Sequence, residues 1–181
     1  NLSTDKKFPI ILGEGAFSSV NPMDLGEATK AIIVTNSKIR EACSDLIDSI
    51  KDSLPLDVFV YELEDGEQFK QLDTLSEIID QCIEHGLGRK DILIAVGGGV
   101  VGDITGFAAS VYLRGIPFFQ VPTSLLAQVD AAIGGKTGVN HEKGKNLIGS
   151  FYQPVKTLVD PTILKSLSQK EMKEGLAEII K

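Results

Sequence analysis

Residues Ile92–Asp103, reading Ile-Leu-Ile-Ala-Val-Gly-Gly-Gly-Val-Val-Gly-Asp, constrain this chain more than any other stretch. An apolar run without polar alternation suits a central parallel strand covered on both faces. Three glycines follow at once, and then a segment of helical pattern. Gly97, Gly98 and Gly99 lack a Cβ, so the backbone can turn sharply and a ligand can approach it closely. The free N–H groups of the helix that follows would point into that turn and favour an anion, a nucleotide or sugar phosphate. The letters Gly97-x-Gly99-x-x-Gly102 satisfy the dinucleotide pattern G-x-G-x-x-G. That pattern is weak alone, because the acid expected roughly 20 residues on is replaced by Phe118-Phe119-Gln120. The turn also lies mid-chain rather than on the first strand. A tight strand-to-helix turn with no ligand is the competing reading.

The flanking sequence alternates in type. Pro9–Gly13, Ala31–Val34 and Val58–Tyr61 read as strands. Ile39, Cys43, Leu46, Ile47 and Ile50 recur at helical spacing and predict one helix to about Ser53. Thr74 and Glu77 form a capping box opening a second helix with Leu75, Ile78, Ile79, Cys82 and Ile83 inside, and Gly86 ends it. The helix after the glycines runs to about Leu113. Strand–helix alternation of this kind predicts a Rossmann-like, doubly wound, mainly parallel α/β sheet, with ligands at the carboxyl ends of the strands. The segments Thr35–Lys38, Glu64–Lys70, Gly97–Asp103 and Val121–Ser124 all follow strands and should converge on one edge.

Beyond that sheet the character changes. Gly134–Asn146 is rich in glycine and lysine, with little hydrophobic periodicity, and reads as a long functional loop. Lys136, Lys143 and Lys145 can set ammonium groups around a phosphate, with a solvated hairpin as the alternative. Gly135-Lys136-Thr137 is not a Walker loop, since Asp130-Ala131 replaces the required upstream glycine. Ser168-x-x-Glu171 caps a last helix that places Glu174, Glu178 and Lys181 on one face, an ordinary solvated face when read alone. Gly175 in mid-helix implies close packing at that point.

With 25 acidic against 18 basic side chains, the composition argues against non-specific nucleic-acid binding. No apolar run is long enough to span a bilayer, and Asn1–Lys7 lack the apolar core of a secretory signal. Cys43 and Cys82 fall on apolar stripes and are expected as buried free thiols, consistent with a reducing cytoplasm.

Several blocks together resemble the 3-dehydroquinate synthase family of sugar-phosphate cyclases. They are Asp65–Lys70, Gly97–Asp103, Leu113–Gly115, Gln120–Asp130, Ile133–Gly138, Gly144–Asn146 and Gly175–Lys181, in family order and spacing. The resemblance implies an NAD- and zinc- or cobalt-dependent lyase of the shikimate pathway that makes 3-dehydroquinate and phosphate from 3-deoxy-D-arabino-heptulosonate 7-phosphate. A ring hydroxyl would be oxidised, phosphate eliminated, the ketone reduced, and the opened ring closed by an intramolecular aldol step. It further implies cofactor contacts at Asp65, Glu67, Lys70, Gly98, Gly99, Val100, Gly102, Asp103, Thr123, Ser124, Lys136, Lys145 and Ser166. Asp103 would lie near the nicotinamide ribose, because a carboxylate beside the pyrophosphate would repel it. Substrate groups would be met by Asp130, Lys136, Asn146 and Lys181, with Arg114 reaching a phosphate across a homodimer interface, and a metal by Glu178. Asn36 stands where an acid is common in the family. The family's two histidine metal ligands have no counterpart here, since His85 and His141 are elsewhere. One carboxylate cannot hold a catalytic zinc, which takes three protein ligands. The expectation is therefore an NAD-binding domain over residues 1–160, the first helix of a helical metal domain over 161–181, and no turnover by this chain alone. Another sugar-phosphate cyclase, or a non-catalytic NAD-binding module, remains open.

Overall fold

The computed structural model describes residues 8–181; Asn1–Lys7 lie outside the described residues. In chain order the elements are β1 (Ile10–Leu12), α1 (Pro22–Leu25), β2 (Lys30–Asn36), α2 (Ser37–Ala42), α3 (Ser44–Ser53), β3 (Asp57–Leu63) and α4 (Leu72–Glu84). They continue with β4 (Ile92–Gly97), α5 (Gly99–Val111), β5 (Phe118–Pro122), β6 (Lys136–His141), β7 (Gly144–Phe151), β8 (Lys156–Val159) and α6 (Gln169–Ile180). Six strands form one parallel sheet in the order β1-β8-β5-β4-β2-β3, while β6 and β7 pair separately as an antiparallel hairpin.

This is the expected doubly wound α/β fold. The chain steps outward from β2 to β3, then crosses back to β4 on the other side of β2. Strand order thus reverses between β2 and β4, where open α/β sheets bind their ligands. The glycine turn lies at the carboxyl end of β4, on one flank of that switch point. Its mid-chain position is explained by strand order, which local pattern does not reveal.

Every residue of β4 is buried. Alternation sends Leu93 and Ala95 into one core with Ile32, Val34, Ile78, Ile104 and Phe118, and Ile92, Ile94 and Val96 into the other with Ile33, Ile47, Ile50 and Phe119. Each such side chain contributes about 1.5–3 kcal/mol by leaving water, which is why a non-alternating apolar run belongs in the sheet centre. Gly86, with φ of +64°, closes α4: its N–H reaches Ile83 O at 3.0 Å while that of Leu87 reaches Cys82 O at 2.8 Å. This is a Schellman ending, as the glycine implied. Cys43 and Cys82 are buried free thiols, and burial pushes the latter up to about 12.

Three local expectations are corrected. The single helix over 39–53 breaks at Cys43 (φ −129°, ψ +32°) into α2 and α3. The break lets Ile39, Leu46, Ile47 and Ile50 all pack against one face of the sheet. Thr74 is not an N-cap; α4 starts at Leu72, and Thr74 is buried in its first turn. Gly134–Asn146 is not an irregular loop; the hairpin named as the alternative is what forms, and the segment makes up most of β6–β7. Its strands cross at Gly138 opposite Gly149, where a Cβ on Gly138 would stand 2.5 Å from Ile148 O. Glycine weakened the local strand signal there, yet it is what allows the close crossing. Val139 seats the hairpin in the α4–α5 core, and a Cβ on Gly106 of α5 would lie 2.6 Å from Thr137.

Gly175 packs as its position suggested: a Cβ there would lie 2.5 Å from Leu125 and 2.8 Å from the Leu126 nitrogen. The Ser168–Glu171 capping box forms, and Lys38 Nζ pairs with Glu171 at 2.6 Å, fastening α6 to α2. The Lys38 and Ser168 hydrogen bonds hold the Glu171 carboxyl down at about 2. Among the described residues no helix is long and apolar enough to cross a membrane.

Candidate active site

The segments after β2, β3, β4 and β5 converge on the carboxyl edge of the sheet because those strands are parallel neighbours. At the switch point Gly98 caps α5 without a side-chain partner, and the first turn of α5 carries no acid. The N–H groups at this end of α5 are therefore open to an anion. The cradle is tight. A Cβ on Gly99 would lie 3.3 Å from Ala131 Cβ, and one on Gly102 would lie 3.4 Å from Gln120 Oε1.

Two threonine hydroxyls flank this turn without partners. Thr35 is the penultimate residue of β2 and Thr123 follows β5; both are fully buried, and neither Oγ1 makes a hydrogen bond. A buried orphan of this kind costs about 1–3 kcal/mol, so a polar ligand at the strand ends would relieve it. Thr123 is bound to the turn itself, its N–H donating to Gly97 O at 3.0 Å. Ser124 caps the helical turn that follows, accepting from the Ala127 N–H at 3.2 Å. That turn is π-helical over Ala127–Ala131 and carries Asp130. Gln128, buried beneath it, donates to Pro122 O at 3.1 Å and Asp160 O at 2.9 Å, holding the turn rigidly.

Beside the turn, a cavity of about 400 Å³ is lined by Asp103, Asp130, Lys136 and Asn146, with Phe151 at its rim. Lys136 Nζ stands 3.3 Å from Asp130 Oδ1, both half exposed, a pairing too wet to be tight. Asp103 is the hinge between turn and cavity, projecting from the second turn of α5. Its Oδ2 accepts at 2.5 Å from Lys70 Nζ, which also donates to Asn146 Oδ1 at 2.5 Å. Burial pushes the Asp103 carboxyl above its ordinary range despite the ammonium beside it.

The remaining expected residues divide by location. Asp65 accepts from Asn36 Nδ2 at 2.8 Å, so Asn36 bridges the segments after β2 and β3. Glu67 meets Lys145 Nζ at 3.4 Å and Asn140 Nδ2 at 2.8 Å. Burial would raise the Glu67 carboxyl, but these partners outweigh it and hold it below the usual range. Lys70 Nζ reaches Asp103 and Asn146, two residues of the cavity wall. Ser166 donates to Ile163 O at 2.8 Å in a 3-10 turn, its hydroxyl bonded within that turn rather than to the glycine turn. Glu178 pairs with Lys181 at 3.3 Å on α6, and neither lines the cavity. Arg114 lies at the far end of α5, about 20 Å from the glycine turn by helix rise. Leu113 and Arg114 both take positive φ, +49° and +66°. Among the described residues no three His, Cys, Asp or Glu side chains gather to hold a metal. Sequence reasoning missed Asn140 and Gln128, whose roles rest wholly on distant partners.

A glycine turn with free helix N–H groups beside a lysine-bearing polar cavity, at the switch point of a parallel sheet, places the chain in the class of Rossmann-like α/β domains. Comparison narrows the class. The family model described as 3-dehydroquinate synthase N-terminal matches residues 60–174. A 3-dehydroquinate synthase from Rippkaea orientalis is 50% identical over 165 residues, covering 91% of this chain and 44% of that protein. A solved 2-deoxy-scyllo-inosose synthase, complexed with carbaglucose-6-phosphate, NAD+ and Co2+, superposes with a TM-score of 0.89 at 31% identity, over 97% of this chain and 48% of that one. ValA, a 2-epi-5-epi-valiolone synthase from Streptomyces hygroscopicus subsp. jinggangensis with NAD+ and Zn2+ bound, gives 0.87 at 28% identity, over 99% and 50%. The chain belongs to the 3-dehydroquinate synthase family. It spans about half the length of the curated relatives it matches.

Proposed function

We propose that this chain is the nucleotide-binding half of a 3-dehydroquinate synthase, which converts 3-deoxy-D-arabino-heptulosonate 7-phosphate to 3-dehydroquinate and phosphate in aromatic amino-acid biosynthesis. The observation that carries this reading is Asp103, which belongs at once to the glycine-turn helix and to the cavity wall with Asp130, Lys136 and Asn146. Cofactor and sugar phosphate would meet at that carboxylate.

The chain's groups fit a dinucleotide. Gly98, Gly99 and Val100 would present backbone N–H groups to its pyrophosphate, and Thr123 would give its orphaned hydroxyl a partner. Asp65, Glu67, Ser124, Lys145 and Ser166 are further cofactor contacts in this reading, with Lys70 acting on Asp103 from behind. NAD supplies a hydride acceptor and donor when bound. Hydride removal acidifies the neighbouring C–H and makes phosphate loss feasible. Lys136 and Asn146 would bind and orient the phosphate, with Asp130 a loose neighbour of the Lys136 ammonium at the cavity wall. Glu178 would be one metal ligand. The described residues do not form a complete metal site, so no step is assigned through a metal.

The same reading divides the chain near residue 160, treats α6 as the start of a metal-binding domain, and makes the protein a cytoplasmic homodimer with Arg114 at its interface. The test is phosphate release from the sugar phosphate by the full-length protein supplied with NAD and a divalent metal. Turnover should occur, and Lys136→Ala should raise KM for the phosphate substrate by tenfold or more. Unchanged KM would remove Lys136 from the substrate site. A second cyclase substrate is the runner-up, favoured by the 31% identity to 2-deoxy-scyllo-inosose synthase. Turnover of glucose 6-phosphate in its place would decide for that alternative.

A further inference from the structure

The segment after β3 and the β6–β7 hairpin are joined by a closed ring of hydrogen bonds centred on Asn140. Its N–H donates to Lys70 O at 2.8 Å, and its Oδ1 accepts from the Asn146 N–H at 2.9 Å. The ring closes where Lys70 Nζ donates to Asn146 Oδ1 at 2.5 Å. A fourth bond leaves the ring, from Asn140 Nδ2 to Glu67 Oε1 at 2.8 Å. Strand pairing is irregular between Val139 and His141, which places Asn140 at the bulge. Bulges free a residue from its ladder and re-aim it, and here the freed backbone and amide both point across to the 65–70 segment. Asn146 holds φ of +56°, a conformation uncommon outside glycine that persists when surrounding bonds determine it. The bond from its N–H to Asn140 is one of those determinants.

We propose that Asn140 is a positioning residue: through its two side-chain bonds it sets Asn146 in the cavity and Glu67 at the cofactor rim, so that the two subsites form as one unit. This inference rests on the functional reading above. Asn140 touches neither reacting group in this scheme; it acts through Asn146 and Glu67. The two bonds can be cut separately. Asn140→Ala removes both. Asn140→Asp is isosteric and keeps the acceptor for Asn146, but sets a second carboxylate against Glu67.

In the full-length protein, Asn140→Ala should raise KM for the sugar phosphate at least tenfold and weaken NAD binding at least threefold. Asn140→Asp should leave KM within about threefold while weakening NAD binding at least as much as Asn140→Ala. Equal effects of the two variants on KM, or an Asn140→Ala variant within twofold of wild type on both measures, would overturn the proposal. The wild-type protein is the internal control. If it turns over no sugar phosphate, the functional reading fails and the proposal is judged on amide hydrogen exchange of this chain. There the Asn146 N–H should lose protection in Asn140→Ala and keep it in Asn140→Asp, with protection in β4 unchanged. Retained protection in Asn140→Ala would refute the positioning role independently of activity.

Discussion

Removing the Lys70 ammonium should destabilise the chain in a way that depends on pH. Lys70 and Asp103 side chains are only 5% and 19% exposed. Lys70→Met keeps most of the buried stem but leaves the Asp103 carboxylate without its cation. Breaking a buried pair from one side costs about 3–5 kcal/mol. Here a ceiling applies, because the orphaned carboxyl can take up a proton instead. From an ordinary value of 3.8, protonation at pH 7 costs about 4 kcal/mol, at about 1.36 kcal/mol per pH unit. Losing the bond to Asn146 adds about 1 kcal/mol, and residual exposure of Asp103 takes some back, so a net loss of about 2–4 kcal/mol is expected at pH 7.

The sign with pH is definite. Asp103 is already raised in the fold, and Lys70→Met raises it further, so its contribution is favourable below the unfolded value near 3.8 and is lost as pH rises through the folded value. The penalty should therefore shrink toward pH 4 and grow toward pH 8. Denaturant unfolding followed by circular dichroism at several pH values measures it, and adding Asp103→Asn to Lys70→Met should recover all but about 1 kcal/mol at pH 7. Additive single substitutions within about 0.5 kcal/mol, or a penalty flat between pH 4 and 8, would refute the buried-pair account.

Three further outcomes follow from the packing. Gly149→Ala places a Cβ against the Thr137 carbonyl and 2.9 Å from Gly138 Cα; backbone cannot yield easily, and thermal unfolding should show a loss of about 1–3 kcal/mol. Gly175→Ala gains about 1 kcal/mol of helix propensity but meets the Leu126 nitrogen at 2.8 Å; net destabilisation is expected, and a higher melting temperature would contradict the close docking of α6. Asp91 accepts from the N–H groups of Gly88, Thr29 and Lys30. Burial would raise its carboxyl, but these donors together hold it below 3.8, so its stabilisation is present above that value and lost as pH falls through the lowered one. Asp91→Asn should cost about 1.5–3 kcal/mol at pH 7, and that cost should decline as pH falls below 3.8, read by chemical denaturation.

The sequence by itself determined what local chemistry determines. The unbroken apolar run of β4 required a strand covered on both faces, whatever its neighbours. Three glycines between that run and a helical pattern required a turn open to an anion. Gly86 as a helix stop, Ser168–Glu171 as a cap and Gly175 as a point of close packing are each read from one or two residues and a steric rule. Only the tertiary structure decided strand order, and with it the reason a mid-chain turn sits at the switch point. It also chose the hairpin over the loop for the lysine segment, because a crossing at Gly138 and Gly149 depends on a pairing that neither glycine announces. Lys70 and Asn140 were decided there too. A side chain's partner is set by where distant backbone passes, and Lys70 finds Asp103 33 residues away and Asn146 76 residues away. Periodicity reports which face of an element is buried; it carries no information about which charged group the fold brings to that face.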